Sequence, residues 1–180
     1  MKVLILPGWH ASGPQHWQSE WVRLHGDRHV EQDDWIWPKR GDWMARLDEV
    51  LLTEPAPVAL VAHSLGCQLV AAWAAHTQHA VRVAAAMLVA PPDIERPDTP
   101  PNVVSWRPIV RRRLPFASLV VASSDDPHCE LDRACGMAGD WGSEFVDAGP
   151  RGHHNADSGL GAWAEGRNLL ARLIARAGAG

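Results

Sequence analysis

Val58-Ala59-Leu60-Val61-Ala62-His63-Ser64-Leu65-Gly66-Cys67 decides how the rest of the chain is read. An apolar run predicts a buried strand, Ser64 falls in a tight turn, and the segment from Leu65 to about Ala75 is apolar nearly all round, as a helix packed against a sheet is. A serine hydroxyl is a poor nucleophile. A strand that turns abruptly into a helix lifts that hydroxyl clear of its neighbours and brings backbone N–H groups close to it, which is what acyl transfer needs. The pattern is close to G-x-S-x-G, with Ala62 in the first glycine position and Gly66 in the last. On its own the segment is equally an ordinary strand–turn–helix corner, so the remaining residues have to decide.

Composition narrows the field. The chain has 180 residues, 46% of them apolar and 21% charged, which suits one globular domain, 1–180, with a full core. Met1-Lys2-Val3-Leu4-Ile5-Leu6 runs straight into Pro7-Gly8 without the pattern of a secretory leader, and no apolar stretch reaches membrane-spanning length. A cytoplasmic protein without membrane partners is expected. A net charge of −4 argues against a nucleic-acid partner, and Arg111-Arg112-Arg113 is too short a basic run to change that. Cys67, Cys129 and Cys135 are odd in number and lack paired spacing, so reduced thiols are expected rather than disulfides or a zinc site. Ten histidines show no H-E-x-x-H or comparable spacing, so no metal and no cofactor is expected.

Short apolar runs alternate with segments of helical period, the signature of a βα-repeating architecture. The expectation is an α/β fold, a three-layer α/β/α sandwich with a mainly parallel central sheet. Strands are predicted at Lys2–Leu6, weakly at His29–Glu31, then at Val58–Ala62, Val83–Val89, Leu119–Ala122 and Ser143–Val146. Helices are predicted from about Pro14 (Trp17, Trp21 and Leu24 on one face), through Trp43–Leu51, after Ser64, from Pro127, and through Leu160, Trp163, Leu170, Leu173, Ile174 and Ala177. The segment from Pro91 to Pro115 holds seven prolines and no clear period. It reads as a long irregular excursion, either a cover for the cleft or a plain connection with a short helix near Ile109–Arg113.

In open α/β sheets the reactive groups sit beyond the carboxyl ends of the strands. Three such junctions carry suitable residues: Ser64, then Asp125-Asp126, then His153-His154, the order serine, acid, histidine. A histidine would take the serine proton and return it to the leaving group, and a carboxylate would fix the tautomer. The backbone N–H groups of Leu65 and Trp9 are the candidate donors to the oxyanion, with Gly8 letting the loop turn inward. Position alone leaves Asp126 open as an N-cap before Pro127, Asp125 as a second candidate acid and His154 as a second candidate base. His63 is placed as shaping the elbow or cleft, His10 and His16 as able to touch substrate, and Trp9 and Trp37 as bounding the cleft; His10, His63 and Trp37 are the candidate substrate-binding residues.

These residues together resemble the small serine hydrolases of the retinoblastoma-binding-protein and bacterial YdeN type, a compact branch of the α/β-hydrolases without a cap domain. The marks are Pro7-Gly8-Trp9 with Ser12-Gly13-Pro14 and His16-Trp17, His63-Ser64-Leu65-Gly66-Cys67, Asp126-Pro127, and Gly152-His153-His154-Asn155-Ala156 followed by Ser158-Gly159-Leu160-Gly161 and Trp163. The resemblance covers nearly the whole chain. It implies Ser64 as nucleophile, the aspartate before proline, Asp126, as orienting acid, and the histidine after glycine, His153, as base. Ala62 departs from the glycine of many hydrolases by one methyl group. The expected activity is carboxylesterase-like cleavage of a small-molecule acyl substrate, an ester, amide or thioester. The alternative is a binding or regulatory protein on the same scaffold, since the family's animal members are named for a protein partner.

Overall fold

The computed structural model describes residues 1–179. In chain order come β1 (Lys2–Leu6), α1 (Trp17–His25), β2 (Arg28–His29), α2 (Arg40–Thr53), β3 (Val58–His63), α3 (Leu65–Ala74), β4 (Val83–Val89), β5 (Ala117–Ala122), α4 (Leu131–Trp141), β6 (Glu144–Asp147) and α5 (Ala164–Ala177). The strands form one sheet in the order β2-β1-β3-β4-β5-β6, and every pairing is parallel.

The three layers follow from the period of two along each strand. Val3, Ile5, Val61, Met87 and Val121 point to one face, where Trp17 and Trp21 of α1 and Leu170 and Leu173 of α5 cover them. Leu4, Leu6, Leu60, Leu88 and Val120 point to the other, beneath Trp43 and Leu47 of α2, Leu69 and Trp73 of α3, and Met137 and Trp141 of α4. β3 is buried along its full length, which is why it reads as a continuous apolar run and not as an alternation. The order of strands reverses between β1 and β3. The loops that leave these two strands diverge there and open a crevice at the carboxyl end of the sheet.

Some boundaries differ from expectation. α1 begins at Trp17, because the His16 side chain accepts the Gln18 N–H and caps the helix; Leu24, expected on the apolar face, is 46% exposed. α4 begins at Leu131 and not at Pro127, since the carboxylate of Asp126 accepts the His128 N–H and closes a turn first. Residues 109–113 are not helical; the one helical turn of the excursion is 3₁₀, at Pro101–Trp106. Leu160 and Trp163 precede α5. No helix among the described residues is long and apolar enough to cross a membrane.

Candidate active site

The site is built from the ends of β1, β3, β5 and β6. Ser64 separates β3 from α3 and has φ 52°, ψ −123°, a conformation that costs a non-glycine residue roughly 1–3 kcal/mol. It is held by its N–H donating to Val89 O (2.9 Å) and its carbonyl accepting from Cys67 N–H (2.8 Å). The turn requires close backbone passage on both sides. A Cβ on Gly66 would lie 2.4 Å from Leu6 O, and one on Gly8 would lie 2.7 Å from Ser64 Cβ. Ala62, in the position where many elbows have glycine, is fully buried in the sheet core without disturbing this turn.

Ser64 Oγ is 2.8 Å from His153 Nε2, and His153 Nδ1 is 2.9 Å from each carboxylate oxygen of Asp126. Both Asp126 and the His153 ring are largely withdrawn from solvent, with side-chain exposures of 3% and 10%. Asp126 also accepts the His128 N–H in a local turn, but α4 opens later with Glu130 at its N-cap, so this aspartate is not a helix cap. The other candidates fall elsewhere. Asp125 accepts the Gly152 N–H (2.7 Å) and the Ser123 hydroxyl (2.6 Å), and Ser123 Oγ accepts the Arg151 N–H (2.8 Å). Its carboxyl is held below the ordinary range, first by the Ser123 hydroxyl and then by the Gly152 N–H. His154 is fully buried with its ring against Trp163, and its carbonyl accepts the Trp17 indole N–H (2.8 Å).

His63 does more than shape the elbow. The strand that carries Ser64 places this side chain against the loop that carries the base, where His63 Nε2 donates to His153 O at 2.8 Å. His16 lies edge-on to His63 at 4.7 Å, and His128 lies edge-on to His153 at 4.5 Å. Burial, reinforced by the nearby His153, pushes His16 down to about 4 and His63 well below its ordinary value, and lowers His128 as well. Burial likewise pushes His154 down to about 4. The neighbours are therefore neutral, and within this cluster His153 is the ring whose nitrogen faces a carboxylate.

The N–H of Leu65 opens α3 and has no acceptor within the helix; the N–H of Trp9 lies in the β1 loop that Gly8 brings against the elbow. Among the described residues neither makes another hydrogen bond. That loop is itself constrained, with His10 and Ala11 both at positive φ and the His10 N–H donating to Trp35 O.

The crevice above Ser64 has a volume of about 470 Å³. Trp9, His10, His16 and His63 line it on the β1 and β3 side, so of the three candidate substrate-binding residues His10 and His63 border the cleft. Trp37 does not line it: the Asp34 carboxylate accepts the N–H groups of Ile36 and Trp37, and the resulting turn leaves Trp37 59% exposed outside the cleft. The opposite wall is the proline-rich excursion, from Pro92 to Val103, so this segment covers the cleft. It is fastened to the acid loop by Arg96 donating to Pro127 O (2.7 Å) and by the Asp93 N–H donating to His128 O (3.0 Å). Nothing in the sequence pattern marks Ser123 or Arg96, while Asn155, quoted above only as part of a motif, also borders the cleft. The contacts that give Ser123 and Arg96 their place, with the Arg151 N–H and Pro127 O, join residues distant in the chain. No cluster of His, Cys, Asp or Glu suited to a metal ion occurs among the described residues.

Comparison with known proteins agrees with this fold. A family model described as serine hydrolase matches residues 3–172. The structure of a YdeN-like hydrolase from Pectobacterium atrosepticum superimposes with a TM-score of 0.86 at 30% identity, covering 98% of this chain and 91% of that one. The ydeN gene product of B. subtilis gives 0.74 at 20% identity, covering 97% and 98%, and an esterase from Rhodococcus gives 0.70 at 15% identity, covering 96% and 91%. No curated protein matches the chain.

Proposed function

The chain belongs to the serine hydrolase family of α/β-hydrolases, of the YdeN type, and from that premise we propose that it cleaves a carboxylic ester through an acyl-enzyme formed on Ser64. The observation that carries the proposal is the unbroken hydrogen-bonded chain from Ser64 Oγ through His153 to Asp126. Esterases among the structural neighbours favour an ester over an amide.

The chemistry follows from these contacts. With Nδ1–H donated to Asp126, His153 Nε2 is an acceptor and takes the Ser64 proton as Oγ attacks the acyl carbon. The carbonyl electrons move to the oxygen, which the N–H groups of Trp9 and Leu65 receive at the positive end of α3. Collapse breaks the bond to the alcohol, and Nε2 delivers its proton to the departing oxygen. Water then gives a proton to Nε2 and attacks the acyl carbon, and Ser64 recovers its hydroxyl as the acid leaves. Asp126 stays ionised throughout and steadies the imidazolium. Loss of the base is expected to cost on the order of 10²- to 10⁴-fold in rate.

The test is treatment of the purified protein, Ser64→Ala and His153→Ala with a fluorophosphonate, with the adduct located by mass spectrometry. An adduct on Ser64, absent from the first variant and formed at least about 10²-fold more slowly in the second, is the expected result. A folded protein that takes no adduct would point to the binding scaffold instead.

A further inference from the structure

The walls of the cleft are of two kinds. Ile94, Pro100 and Val103 of the excursion, with Leu65, supply the apolar side chains of one wall, beside the charged Asp93, Arg96 and Asp98 of the same segment. Around His153 the surface is polar. The ring of His128 meets the base edge-on at 4.5 Å, and Asn155 borders the same cleft. His128, His153 and Asn155 also line a second depression of about 380 Å³, which continues past the base to Arg151 and Ser158. The ring of the base thus borders both the cleft that holds these apolar side chains and the polar depression beyond it.

The polar side is held in place by its own bonds. The His128 N–H donates to Asp126 Oδ1 (2.9 Å) and its carbonyl accepts the Asp93 N–H (3.0 Å), so the ring is presented from a backbone fixed at both ends. Partial burial and the neighbouring His153 keep that ring neutral, leaving it one donor and one acceptor. Asn155 Oδ1 accepts the Asp157 N–H (3.1 Å), which leaves its amide hydrogens to donate.

Direction comes from the reaction, and so the inference rests on the ester-cleaving reading above. As the Ser64 Oγ–carbon bond forms and the carbon–alcohol oxygen bond breaks, the Ser64 proton passes through His153 Nε2 to the alcohol oxygen. The alcohol must therefore lie against His153, which is where His128 and Asn155 are. The acyl chain takes the apolar side chains of the facing wall, Ile94 and Val103. We propose that the substrate class is an ester of an apolar acyl group with an alcohol carrying further hydroxyl or amide groups, the acyl chain seated against Ile94 and Val103 and the alcohol read by His128 and Asn155.

The experiment compares four esters on the intact protein by titrating released acid: 2,3-dihydroxypropyl butyrate, propyl butyrate and the two corresponding acetates. The expected kcat/KM favours dihydroxypropyl over propyl and butyrate over acetate, each by about tenfold or more. His128→Phe is expected to collapse the alcohol ratio toward one while the acyl ratio persists, and Val103→Phe to do the reverse. A wild-type protein indifferent to the alcohol overturns the proposal without any variant, as does a His128→Phe protein in which both ratios fall together. Absence of a fluorophosphonate adduct on Ser64 defeats the ester-cleaving reading itself; an adduct with flat ester preferences defeats the subsite alone.

Discussion

Glycine 8 shows how little room the site leaves at the level of a single residue. Its missing Cβ is what lets the β1 loop touch the elbow, since that atom would stand 2.7 Å from Ser64 Cβ, 3.1 Å from His63 O and 3.2 Å from Leu65 N. All three obstacles belong to a turn that is already at positive φ and cannot move without moving the nucleophile. Gly8→Ala is expected to remain folded but to lose about 10²-fold or more in kcat/KM, the size of losing one oxyanion donor, as the loop and the elbow are pushed apart. Wild-type ester turnover in that variant, measured beside its circular dichroism, would show that the contact is idle. At this scale the sequence was informative where the requirement is local. An apolar run, a serine and Gly66 announce the elbow because sterics confine it to those few residues. Trp37 lies outside the cleft because its direction is set by the hydrogen bonds that the N–H groups of Ile36 and Trp37 donate to the Asp34 carboxylate, not by its own chemistry.

The loop after β6 is the element on which the base depends, and it is tied down at four successive residues. Arg151 N–H goes to Ser123 Oγ, Gly152 N–H to Asp125, His153 O accepts from His63, and His154 O accepts from Trp17. Ser123, 1% exposed, is shared between the Arg151 N–H and the Asp125 carboxylate, so Ser123→Ala strands a donor and loosens an acceptor together. A loss of about 1–3 kcal/mol in stability is expected, with a fall in kcat larger than any change in KM. Unchanged denaturant midpoint and unchanged kcat would mean that the other three ties suffice. None of this was legible beforehand, because each tie joins residues 27 or more positions apart. The start of α1 was missed for another reason: its cap is a histidine, and histidine is not among the residues that usually announce a helix start. The excursion after β4 has no period to read, and its role as a wall exists only through contacts such as Arg96 to Pro127.

For the molecule as a whole, acid is the expected weakness. His16 and His154 are pushed from 6.5 to about 4 by burial, and His63 is pushed down as well. Between roughly pH 6.5 and 4 the unfolded chain then binds more protons than the folded one, so stability is full above that window and is lost as pH falls through it. Each of the first two histidines contributes a slope of about 1.4 kcal/mol per pH unit. Tm is expected to stay level from pH 8 to 7 and to drop steadily from pH 6.5 to 5; a level Tm down to pH 5 would show that these rings are not held neutral. The overall architecture was the most legible part, since alternating strand and helix periods with reactive residues at strand ends leave few arrangements open. That all pairings are parallel follows from long crossovers between strands, helical except for the excursion between β4 and β5, and it carries a further consequence at the sheet margins. β2 pairs through two residues and β6 is four residues long, so the two outer strands offer very little open backbone. A neighbouring copy has almost no hydrogen-bonding template to extend, and the fold is guarded against growing into fibrils from its own edges.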